Sequence, residues 1–76
     1  MFIDEVFFDA DRAVFLIYVK DIDAVDLIFA QHDLSNKRWA PANNGYATLI
    51  VKRKPEHSLN RFAALIDRAA DECYAA

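Results

Sequence analysis

Ala13-Val14-Phe15-Leu16-Ile17-Tyr18-Val19 is a run of apolar residues rich in β-branched and aromatic side chains. It falls well short of the ~20 residues that a membrane-spanning helix needs. A run of this length and type reads as a strand buried on both faces. Side chains alternate along a strand. Phe15, Ile17 and Val19 therefore point one way, and Val14, Leu16 and Tyr18 the other. The rest of the chain reads as cover for this strand.

On its N-terminal side, Phe2 to Phe8 reads as a first strand, with Phe2, Val6 and Phe8 on one face and Ile3 and Phe7 on the other. Asp9-Ala10-Asp11-Arg12 is short and polar, so the two strands form an antiparallel hairpin. On the C-terminal side the period changes. Ile22, Val25, Ile28, Phe29 and His32 recur at helical spacing, which predicts a helix over residues 22–32. Asp21 or Asp23 can accept hydrogen bonds from the first-turn N–H groups as its N-cap.

Residues 34–45 admit two readings. One is an irregular loop pinned by Trp39. The other is a short edge strand, 37–40, turning back through Ala42-Asn43-Asn44-Gly45. Asn-Gly favours a hairpin because both residues tolerate positive φ. Pro41 lacks an N–H and would confine such a strand to an edge. The balance leans to the loop, because the alternation is short. Tyr46 to Lys54 is a strand, with Ala47, Leu49 and Val51 opposite Tyr46, Thr48 and Ile50. Pro55 ends it, and Ser58 is the natural N-cap of a last helix. That helix carries a stripe of Leu59, Phe62, Ala63, Ile66, Ala69, Ala70 and Cys73, widened by Leu65 and Tyr74.

The expected fold is therefore α+β: one domain over residues 1–76, a small ββαβα sandwich. Its mixed sheet has three strands, with 37–40 the candidate fourth, and residues 21–45 are long enough for a parallel crossover. Three strands at ~4.8 Å make a sheet narrow enough for two helices of ~10 Å to cover one face completely. Both helices are expected on one face, which leaves the other bare. A chain that is 55% apolar with one Gly and two Pro is not disordered. It has more apolar surface than a body this small hides easily, which predicts a homodimer or a protein partner.

Charge is unevenly placed. Residues 1–36 hold acids at Asp4, Glu5, Asp9, Asp11, Asp21, Asp23, Asp26 and Asp33 against Arg12 and Lys20. The second half is net basic. Asp9, Asp11, Asp23, Asp26 and Asp33 are the candidate partner-binding residues, an acidic surface complementary to a nucleic-acid-binding protein or complex. Compensation of a helix dipole is the plainer role for Asp23 and Asp26. Lys37, Arg38 and Trp39 with Lys52, Arg53 and Lys54 are the alternative: bases beside an aromatic suit single-stranded nucleic acid.

Chemistry is sparse. His32, His57 and Cys73 are isolated in sequence, without the paired spacing of a zinc site. Gly45 is the single glycine, so no phosphate-binding loop exists. No catalytic residue, metal or cofactor is expected. One cysteine and acids near the N-terminus, where a signal peptide needs bases, fit a cytoplasmic protein without a membrane segment. The expected class is a non-enzymatic regulator or inhibitor of the kind carried by phages and other mobile elements, anti-CRISPR-like inhibitors among them.

Overall fold

The computed structural model describes residues 1–41 and 43–76. Two ββα units follow one another. In the first, β1 (Ile3–Phe8) and β2 (Arg12–Tyr18) precede α1 (Ile22–Gln31). In the second, β3 (Lys37–Pro41) and β4 (Tyr46–Lys52) precede α2 (Leu59–Ala75). The strands form one antiparallel sheet in the order β1-β2-β4-β3. No helix among the described residues is long and apolar enough to cross a membrane.

Two expectations change here. Residues 37–41 are a strand, not a loop. The sheet is wholly antiparallel rather than mixed, and the second change follows from the first. The helical crossover leaves β2 and returns the chain to β3, which runs parallel to β2 but is not its neighbour. β4 then turns back and fills the gap between them, antiparallel to both. The reversal occurs at Asn44 (φ 61°) and Gly45 (φ 80°), the pair whose positive φ suits a tight hairpin. Ala42 of the expected turn lies outside the described residues. Pro41 does sit on an edge strand, where its missing N–H does little harm.

The core lies on one side of the sheet. Ala13, Phe15 and Ile17 of β2 and Ala47, Leu49 and Val51 of β4 are buried there. Against them pack Val25 and Phe29 of α1, and Phe62, Leu65, Ile66, Ala69 and Cys73 of α2. Phe15 meets Phe29 edge-on at 5.4 Å, and Phe8 stacks on Phe62 at 5.7 Å. Both helices thus share one face. Leu59 and Tyr74 were expected in the α2 stripe, but they are exposed at its two ends. Val19 is exposed too, because the chain leaves the sheet in a 3₁₀ turn over Val19–Asp21.

The termini of the helices explain their limits. The Ser58 hydroxyl accepts the Arg61 N–H at 3.1 Å, as an N-cap should. Asp21 holds the N-cap position of α1 without a side-chain hydrogen bond, since the 3₁₀ turn runs directly into the helix. At its other end α1 closes in a Schellman motif: Leu34 N–H bonds Phe29 O and Asp33 N–H bonds Ala30 O. Asp33 occupies the left-handed position at φ 61°. Leu34 then turns inward beside Phe29 in the core.

β1 departs from simple alternation. Its register shifts between Glu5 and Phe7, a β-bulge. Ile3 and Phe8 pair with Ile17 and Ala13, on the helix side; Phe7 pairs with Val14, on the other. The expectation that Ile3 and Phe7 share a face is corrected by that extra residue.

Candidate protein-docking surface

The second face of the sheet has no helix over it. Alternation places Val14, Leu16 and Tyr18 of β2 there, beside Tyr46, Thr48 and Ile50 of β4. All six are half-buried by their neighbours in the sheet rather than by a second layer. Phe7 of β1 and Ala40 of β3 flank them. The strip runs across the two central strands, apolar apart from Thr48 and the tyrosine hydroxyls; its members are half-buried, while Phe7 and Phe2 beside it are exposed.

One end of this face is aromatic. Tyr18 and Tyr46 are cross-strand partners, with ring centroids 5.0 Å apart. Phe2 packs on Tyr18 at 4.9 Å and meets Tyr46 edge-on at 5.8 Å. The rings turn their faces largely toward one another. The neighbouring Tyr18 phenol raises the Tyr46 phenol above its ordinary 10.0. Beside this cluster an apolar concavity of about 320 Å³ is lined by Val19, Ile22, Trp39 and Tyr46, among others.

The other end is basic. Arg12 and Lys52 are directly opposite one another on β2 and β4. Arg38 pairs with Ile50 and so stands on the same face of the neighbouring strand. The Arg12 guanidinium lies over the Phe7 ring at 5.5 Å. Among the described residues none of these three makes an ion pair.

The remaining bases of the two sequence clusters are engaged within the fold. Lys37 pairs with Asp26 at 3.0 Å, on the helix side of the sheet. Trp39 faces that side as well and donates its Nε1–H to the same carboxylate at 3.0 Å. Arg53 donates to the carbonyls of Ala10 and His57. Lys54 pairs with Asp33 at 2.6 Å. The six residues proposed for nucleic acid therefore divide: Arg38 and Lys52 face the open sheet, and the other four hold the structure together.

The acidic candidates divide in the same way. The Trp39 N–H and the Lys37 ammonium hold Asp26 below the usual carboxylate value. Lys54 and then His57 do the same for Asp33, whose second oxygen lies 2.8 Å from His57 Nε2. Asp9 accepts the backbone N–H groups of Asp11 and Arg12, which shapes the β1–β2 turn. Asp11 and Asp23 are exposed and make no ion pair among the described residues. The structure does not gather the five into one free acidic stripe.

The groups with chemical potential are separately engaged. His57 is 3% exposed and bound to Asp33; its Nδ1 is buried without a partner. His32 Nε2 lies 3.2 Å from Glu72. Cys73 is buried, and burial, aided by the Glu72 charge, pushes its thiol up to about 11. It stays protonated at neutral pH and is a poor nucleophile. Among the described residues, no group of three or more His, Cys, Asp or Glu could hold a metal ion. Comparison with protein families, with curated proteins and with solved structures gives no match to this chain.

The open face had a partial signal in the sequence. Two apolar faces on the central strand, with helices for one, implied it. Arg12 was missed because it sits in the acidic half, and only the β2–β4 register brings it opposite Lys52.

Proposed function

We propose that this chain is a non-enzymatic protein-binding module, a small regulator or inhibitor that works through the uncovered face of its sheet. The observation that carries the reading is the strip Val14, Leu16, Tyr18, Tyr46, Thr48 and Ile50 on the central strands, with both helices on the other side. A protein surface that lays apolar side chains on such a strip removes it from water at roughly 25 cal/mol per Å². The buried, protonated Cys73 suits a reducing, cytoplasmic setting.

Single-stranded nucleic acid is the competing occupant. It requires aromatic rings with free faces on which bases stack. Here Tyr18 stacks on Tyr46 and Phe2 packs tilted against Tyr18, Phe7 lies under Arg12, and Trp39 is on the opposite side. A homodimer would cover the same strip and is the third use of it. The test is capture of a protein from the cells that make this chain, compared between wild type, Leu16→Asp and Asp23→Ala. The reading expects a captured protein that Leu16→Asp loses and Asp23→Ala keeps. Capture that ignores Leu16→Asp places the working surface elsewhere.

A further inference from the structure

We infer that the occupant of the uncovered face is an acidic amphipathic segment of another protein, its apolar side chains on Val14, Leu16 and Ile50 and its carboxylates on Arg12, Arg38 and Lys52. The inference rests on the reading of that face as a protein-docking surface and adds the chemistry of what docks.

Like charges directly opposite one another on neighbouring strands are destabilising. Arg12 and Lys52 are such a pair, and Arg38 adds a third positive charge beside them. Of the other cations off the helices, Lys37 pairs with Asp26 and Lys54 with Asp33, Arg53 donates to two backbone carbonyls, and Lys20 lies over the Tyr18 ring. Arg61 and Arg68 on α2 are also without ion pairs, but they are separated along a helix that carries Asp67, Asp71 and Glu72. The three on the sheet repel each other, so a negative group between them would be attracted by all three. Two adjoining concavities provide the room. The larger, about 470 Å³, is lined by Asp11, Arg12, Lys52, Arg53 and Asn36; the smaller, about 170 Å³, by Arg38, Lys52, Asn36 and Ile50.

Charge also selects among occupants. The face carries Arg12, Arg38 and Lys52, with Lys20 over the Tyr18 ring, against Asp4 on β1 and Asp11 in the lining of the larger concavity. A second copy would bring a face of the same positive sign. The chain as a whole is nevertheless acidic, at −3, so its negative charge lies on the helix side and in the turns. That polarity steers an acidic partner to the sheet and away from the helices. From the aromatic end to the basic end, six residue steps along β4 span about 20 Å, the length of about thirteen residues of helix.

The experiment selects peptides from a random phage-displayed library on the immobilised wild-type chain. Selected peptides are then titrated against wild type, Leu16→Asp and the double variant Arg12→Glu/Lys52→Glu. The inference expects peptides that combine apolar residues with clustered Asp or Glu. Their binding should weaken at least ~tenfold on charge reversal and also with rising salt. Circular dichroism and urea midpoints establish that the variants are folded, with Arg12→Gln/Lys52→Gln as the milder pair. Peptides that need Leu16 but carry no acids overturn the inference and leave the docking face standing. If no selected peptide responds to Leu16→Asp, the docking face itself is wrong. Two further arms use other probes. Salt-sensitive binding of oligo-U or oligo-dT that charge reversal abolishes assigns the face to nucleic acid and overturns the inference. A dimer in sedimentation equilibrium that Leu16→Asp dissociates assigns it to a second copy, with the same consequence.

Discussion

Asp33 does three jobs with one side chain and one unusual backbone angle. It closes α1 from the left-handed region, and its carboxylate joins Lys54 and His57 across the β4–α2 connection. Removing it leaves a buried histidine with neither ring nitrogen bonded. Asp33→Ala should lower the urea midpoint at pH 7, and Asp33→Asn should lower it less, because the amide oxygen still accepts a hydrogen bond and Asn tolerates positive φ. The pH dependence has a definite sign. Asp33 and Asp26 titrate below 3.8 in the folded chain, so the unfolded chain binds protons first as pH falls. Their contribution is complete above the unfolded value near 4 and disappears as pH drops through the lowered folded values. Glu5 acts oppositely. Burial, then the Asp67 charge, raises it above 4.5, so its ionisation opposes folding as pH rises through that region. Urea midpoints of Glu5→Gln at pH 7 should exceed wild type, and those of Asp33→Asn at pH 3 should approach it.

Turns and caps decide the elements. Ser58→Ala removes a cap hydrogen bond and should cost about 1 kcal/mol in urea unfolding. Gly45→Ala meets no atom of the described residues within 4 Å, so its cost, also about 1 kcal/mol, is that of the positive φ. Most elements were legible because each has one strong local signal: period for α1 and α2, alternation for β2 and β4, Ser58 for the second cap. β3 was not. Its alternation covers five residues, and Trp39 reads equally well as a loop anchor until Asp26 is known to bond it. With 37–40 open between loop and edge strand, the antiparallel sheet is open too, since the pairing of β3 sets the direction in which β4 enters. The bulge in β1 was illegible for a different reason: nothing in Asp4-Glu5-Val6-Phe7 distinguishes an extra residue from ordinary alternation.

At the scale of the whole molecule, the two faces of one sheet have different work. Phe29→Ala, in the core, should cost about 3–5 kcal/mol, a large share of the stability of a chain this small. Leu16→Asp, one strand-face away, should cost about 1 kcal/mol and leave the fold cooperative. The difference would separate residues that build the domain from residues proposed to meet a partner. The candidate site was half legible. The strip on β2 and β4 follows from alternation, but the charge beside it does not. Only the register brings Arg12 to Lys52 and turns Lys37 and Trp39 away, so that the free charge beside the strip is basic rather than acidic. An amide chemical-shift map of the isotope-labelled chain, recorded with and without a captured protein, reads the docking face directly. The account predicts that the largest shifts fall on Val14, Leu16, Tyr18, Thr48 and Ile50, with Arg12, Arg38 and Lys52 at their margin. Shifts concentrated instead on the outer faces of α1 and α2, with those strands unmoved, would contradict it.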